Sequence, residues 1–167
     1  MNKANEAGWA AWLRVLENPN SRKATDALEE DGEGPPRSCF GHLCAISPEV
    51  ERVVEPKGEE GEAAGGVTYR STNNLKDARQ VYLPQVLAKK FDITPLGEFD
   101  REYSDKEIAE VVGAHPDLFS YRRYDDLEEL NAKSQLSLSQ IATFIRYVRE
   151  NEGFKTWDQW DGQIGYH

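Results

Sequence analysis

The stretch SLSQIATFIRYVRENEG, residues 137–153, constrains this chain more than any other. Leu138, Ile141, Ile145 and Val148 recur at the spacing that an α-helix gathers onto one face. Ser137 and Gln140 supply a capping box at its start, and Gly153 suits its end. The spacing therefore predicts an amphipathic helix whose apolar stripe lies against a core.

Other segments supply material for that core. Trp9, Trp12, Leu13 and Leu16 repeat at i, i+3, i+4 and i+7, with Asn5 as a candidate cap and Pro19 just past the end. Two tryptophans on one face predict burial rather than a partner groove, because they would otherwise leave a large exposed apolar patch. SDKEIAEVV carries Ser104 at a cap position and Glu107 three residues on, ahead of Ile108, Val111 and Val112. LPQVLAKKF reads as a short helix with Pro84 in its first turn, DDLEELNA as another, and residues 21–28 as a helical turn or two. SCFGHLCAI is apolar and short, so periodicity leaves helix and strand both open; it ends at Pro48 and is predicted to be buried.

Strand signals are few. In VTYRS, Val67, Tyr69 and Ser71 alternate with neighbours of the other face, and pairing with Val53 and Val54 would make a hairpin across a long charged loop. ITPLGEF reads as extended, with Pro95 favouring an edge or a non-strand position. The predicted fold class is α+β: a helix-rich single domain of 167 residues with a small antiparallel sheet or hairpin. Four tryptophans and seven tyrosines exclude the aromatic-poor composition that leaves a chain disordered.

The formal net charge is −10, which argues against general nucleic-acid binding through phosphate contacts. Much of it is local. Residues 29–34 hold four acids and no base, and residues 55–62 hold four acids and one lysine. Acids set in glycine-rich loops serve solubility more readily than they form a rigid phosphate-like array, so a DNA mimic ranks behind other readings. Both acidic loops, near 29–36 and 55–66, are predicted to be exposed and mobile. The start of the sequence has no signal-peptide or transit-peptide character, and no apolar run is long enough to span a membrane. With only two cysteines and no need of disulfide staples, the expected location is the cytoplasm, without membrane association.

Three groups of residues could carry function. Cys39, His42 and Cys44 combine thiols with an imidazole, but the spacing of a four-ligand zinc site is missing, so no metal and no cofactor is expected. Cys39 and His42 remain the candidate nucleophile and base of a small hydrolase or transferase; against that stands the reading of buried free cysteines beside a hydrogen-bonded histidine. Gly41 within this segment points to close packing of two elements rather than to an oxyanion hole. Tyr121, Arg122, Arg123 and Tyr124 interleave aromatic and guanidinium groups that could hold a small anionic ligand, or could pair with Asp125, Asp126 or Glu128. The tail, residues 154–167, carries Trp157, Trp160, Ile164 and Tyr166, too apolar for a freely solvated terminus. It is expected either to fold back onto the domain or to form an interface. Walker, dinucleotide-binding, nucleophile-elbow and HExxH motifs are absent from the sequence.

Taken in order, WAAWL, RKATDAL, SCFGHLC, the LP of YLPQVL, the LN of LEELN and LSLSQIATFI resemble a recurring pattern in small uncharacterised proteins of phages and bacteria. The pattern runs W-x-x-x-L, C-x-G-x-L-C, LP, LND and a helix with IA-x-x-I, and the resemblance covers nearly the whole chain. The chain departs from it at Phe40, where a second cysteine is usual, at His42, where an aliphatic residue is usual, and at Ala132, which replaces an aspartate. The resemblance implies a phage or prophage accessory protein and supplies no activity. The expected function is therefore a non-enzymatic module that binds a host protein in the host cytoplasm, possible as a homo-oligomer, or that sequesters a small ligand.

Overall fold

The computed structural model describes residues 5–30, 35–54 and 66–162. The order of elements is α1 (Glu6–Glu17), α2 (Cys39–Ala45), β1 (Val50–Val54), β2 (Val67–Ser71), β3 (Ala78–Arg79), α3 (Gln85–Phe91), β4 (Glu98–Ser104), α4 (Asp105–Val112), β5 (Arg123–Asp126), α5 (Leu127–Ala132) and α6 (Leu138–Glu150). Single 3-10 turns lie at Pro116–Leu118 and Trp157–Gln159. Strands β1, β2 and β3 form one antiparallel sheet in that order, and β4 pairs antiparallel with β5 in a second. This is the helix-rich α+β fold that the sequence predicts, and its helices and both sheets contribute to one hydrophobic core.

Helix α6 forms as its pattern requires. Ser137 accepts from the Gln140 N–H at 3.1 Å, and the Gln140 side chain accepts from the Ser137 N–H at 3.0 Å. Leu138, Ile141, Ala142, Phe144, Ile145 and Val148 are buried against α1 and α4. The chain then reverses at Gly153 with φ near 84°, a conformation only glycine adopts without strain. Helix α1 buries Trp9, Trp12, Leu13 and Leu16 as expected, but Asn5 does not cap it: its side chain amide points instead to the Lys90 carbonyl. Ser104 and Asp126 cap α4 and α5 through the N–H groups of Glu107 and Glu129.

Residues 21–28 are not helical, because their backbone groups are taken by neighbours distant along the chain. Ala24 N–H donates to Arg37, Arg37 N–H to Arg22, and Ser38 N–H to Leu28. SCFGHLCAI settles as helix α2, with Ser38 accepting from the Gly41 N–H. A Cβ at Gly41 would sit 1.8 Å from the Leu28 carbonyl oxygen, so close packing is what this glycine permits.

At the start of the acidic segment 29–36, one residue departs from expectation. Glu29, read from sequence as part of an exposed mobile loop, is only 4% exposed and accepts from Arg37 Nε at 3.0 Å, Tyr69 Oη at 2.7 Å and the Arg52 guanidinium. The segment is closed at its base by Glu30 N–H donating to the Pro36 carbonyl at 2.9 Å. A carboxylate that meets two guanidiniums and a phenol is held in place rather than solvated. Residues 31–34 and 55–65 of the two predicted loops lie outside the described residues. Among the described residues no helix is long and apolar enough to cross a membrane.

Candidate functional site

A cleft of about 270 Å³ opens where the ends of α3 and α6 meet the start of the C-terminal segment. Its apolar lining comes from Ile93 and three rings: Trp9 on α1, Phe91 on α3 and Phe154 just beyond Gly153. Trp9 packs edge-on to Phe91 at 5.3 Å between centroids and stacks on Phe154 at 5.8 Å. The reversal at Gly153 is what brings Phe154 back over α1. Phe154 also bridges to Phe99 of β4, and Lys155 N–H donates to the Glu98 carbonyl, so the wall of the cleft is fastened to a sheet.

The polar lining is charged. Arg149, in the last turn of α6, lays its guanidinium over the Trp9 ring with Cζ 4.3 Å from the centroid, a cation–π contact in a side chain only 11% exposed. Its Nη2 donates to Glu6 at 2.5 Å, and Glu6 is itself 59% exposed. Two carboxylates, Asp92 and Glu152, also line the cleft, with Asn151 and Thr156. Asp92 Oδ1 accepts from the Trp157 N–H at 3.1 Å, and Glu152 Oε2 accepts from Arg101 Nε at 2.7 Å and from the Tyr103 hydroxyl at 2.8 Å.

Two N–H groups in this lining lack a partner. Among the described residues, four buried side-chain polar atoms make no hydrogen bond; two of them are Trp9 Nε1 and Arg149 Nε, on side chains stacked against each other. A buried donor left unpaired costs about 1–3 kcal/mol, so two neighbouring ones in one cleft call for an explanation.

The residues singled out from sequence fall elsewhere. Cys39 is fully buried in α2: its carbonyl accepts from Trp12 Nε1 at 2.7 Å, its N–H donates to Asn131 Oδ1 at 3.0 Å, and burial pushes its thiol up to about 12. Cys44 is likewise free and buried, and burial raises its thiol further. His42 hydrogen-bonds the Arg22 carbonyl at 2.8 Å, and burial, outweighing that contact, lowers its pKa. It lines a shallow cleft with Arg22 and Arg37 to which Cys39 does not contribute. The thiol and the imidazole therefore do not share a solvent-reached pocket, and burial disfavours the Cys39 thiolate more than the Lys23 charge favours it. Among the described residues no group of His, Cys, Asp and Glu is placed to hold a metal ion.

Tyr124 is buried, donates to the Lys133 carbonyl at 2.5 Å and packs against Phe119 and Tyr121. Arg123 pairs with Glu102 across the β4–β5 sheet at 2.9 Å, not with Asp125, Asp126 or Glu128. Tyr121, Arg122 and Arg123 are exposed, and the Arg122 carbonyl accepts from the Asp105 N–H. Trp157 and Trp160 lie half-buried with ring centroids 5.0 Å apart, Trp157 packing on the core. Ile164 and Tyr166 fall outside the described residues.

Sequence reasoning found Trp9 as core but missed Arg149, Asp92 and Glu152. Arg149 follows Val148, the last residue of the apolar stripe, and that adjacency was the available signal. Nothing along the chain joins positions 9, 92 and 149; only the packing of α1, α3 and α6 does. Compared with protein-family models, curated proteins and solved structures, the chain matches no family, no curated protein and no solved structure.

Proposed function

We propose that this protein is a non-enzymatic binding module, of the accessory kind that the phage and bacterial resemblance implies, which takes up a small ligand in the cleft between α1, α3, α6 and the C-terminal segment. The observation that carries the reading is the cleft's make-up: an aromatic lining of Trp9, Phe91 and Phe154 against a largely buried Arg149 whose guanidinium lies over the Trp9 ring. Ligand sites are mostly apolar concavities in which a few placed polar groups fix orientation. The buried thiols of Cys39 and Cys44, both pushed up, support the non-catalytic half of the reading.

The test is a thermal-shift screen of the full chain against a library of small polar metabolites, with hits followed by calorimetry. Compounds that occupy the cleft raise the melting temperature of the wild-type protein and lose that effect in Arg149→Met, which keeps an unbranched apolar side chain beside Trp9 and removes the fork. A library without a single Arg149-dependent hit would overturn the reading.

A further inference from the structure

We infer that the ligand of this cleft is a small zwitterion with an apolar body, of the size and chemistry of a hydrophobic α-amino acid. This rests on the small-ligand reading above and adds the ligand's class.

The charges in the lining decide it. Arg149 alone would suit any small carboxylate, and it spends Nη2 on Glu6, an exposed partner that a ligand carboxylate can displace. A ligand carboxylate that took the place of Glu6 would meet the same guanidinium, a charge-assisted pairing. A simple anion, however, would also meet Asp92 and Glu152, so the lining carries one more negative charge than positive. Both carboxylates line the cleft, and their structural contacts run through Asp92 Oδ1 and Glu152 Oε2. An ammonium group on the same ligand converts that repulsion into a second attachment. The three rings provide the surface for what is left, an apolar side chain. A cleft of about 270 Å³ lies near the lower bound of ligand pockets, which suits a single amino acid.

The experiment uses the full chain and a matched set of probes: L-phenylalanine and L-leucine as zwitterions, 3-phenylpropanoate lacking the ammonium, 2-phenylethylamine lacking the carboxylate, and 2-phenylethanol lacking both. Calorimetry gives affinities, and the indole N–H resonance of Trp9, assigned with Trp9→Phe, reports the site. At least one zwitterion is expected to bind about tenfold or more tightly than either singly charged probe, since each lost charge-assisted contact is worth about that factor. The Trp9 indole resonance moves on binding. Arg149→Met removes the advantage over 2-phenylethylamine, and Asp92→Asn, which keeps the acceptor for Trp157, narrows the advantage over 3-phenylpropanoate. If a singly charged or neutral probe moves the Trp9 resonance and binds as tightly as the zwitterions, the ligand class is wrong and the small-ligand reading stands. If no zwitterion moves it, the class is again wrong, and only an empty metabolite screen removes the small-ligand reading as well.

Discussion

Glu29 and Asp126 are two buried carboxylates that the fold treats in opposite ways. Burial alone would raise the pKa of Glu29, but hydrogen bonds from Arg52, Tyr69 and Arg37 outweigh it and hold the carboxyl below its ordinary value. A depressed pKa contributes stability that is present above the unfolded value, about 4.3, and lost as pH falls through the lower folded one. Glu29→Ala should therefore cost about 2–4 kcal/mol at neutral pH, because it leaves a buried phenol and two guanidiniums without their acceptor. Urea titrations of the variant at pH 7 and pH 3 check this, the penalty shrinking at the lower pH. For Asp126, burial dominates and raises the pKa to about 7, the Glu129 N–H opposes it, and the charges of Glu129, Glu128 and Glu98 add to it. A raised carboxyl pKa has the reverse sign: its favourable contribution is complete below about 3.9 and is lost as pH rises through about 7. Asp126→Asn keeps the cap on α5, since asparagine caps as well as aspartate, and removes the buried charge. The variant should be more stable than wild type at pH 8 by on the order of 1 kcal/mol and equal to it near pH 4. Equal pH dependence of the two melting temperatures would refute the assignment.

At the scale of elements, α2 is held by contacts that its own sequence does not advertise. Replacing a helix-interior glycine by alanine ordinarily gains about 1 kcal/mol. At Gly41 the sign reverses, because the new methyl would meet the Leu28 carbonyl oxygen at 1.8 Å and force α2 away from the segment that supplies Glu29. Gly41→Ala should lose about 2–4 kcal/mol, or fail to fold, whereas Gly8→Ala in α1 meets only the movable Asn5 side chain and should be nearly neutral. Asn131 serves the same junction, accepting from the Cys39 N–H and donating to the Ala24 carbonyl at 2.8 Å. The motif residues Trp12, Cys39, Leu83, Asn131 and Ile141 are all buried, so they act in packing.

For the molecule as a whole, residues 154–157 pack against the core. Phe154 stacks on Trp9 and lies 5.7 Å from Phe99, Lys155 N–H donates to Glu98, and the Trp157 N–H is held by Asp92. Ending the chain after Gly153 should lower the melting temperature by about 5–10 °C, as expected for exposing one or two large aromatic contacts in a chain of this size. The same truncation removes a wall of the cleft, so any ligand-dependent thermal shift should disappear with it. An unchanged melting temperature would show that the tail's packing contributes nothing to stability.

Local rules were enough for part of this molecule. The stripe of α6, its capping box, the two-tryptophan face of α1, the cap of α4 and the pairing of Val53 and Val54 with VTYRS were all legible, because period and capping chemistry act within a few residues. So was the burial of Cys39 and Cys44. Tertiary structure alone decided the rest. Whether Glu29 is solvated or buried depends on Arg52 and Tyr69, which arrive from a sheet 23 and 40 residues further on. Residues 21–28 lose their helix to backbone partners at 37, 38 and 80. The cleft exists only because three helix faces and one glycine reversal place Trp9, Asp92 and Arg149 around the same space, and a side chain's charge, burial and unmet hydrogen bonds are set by neighbours in space, which the order of residues does not specify.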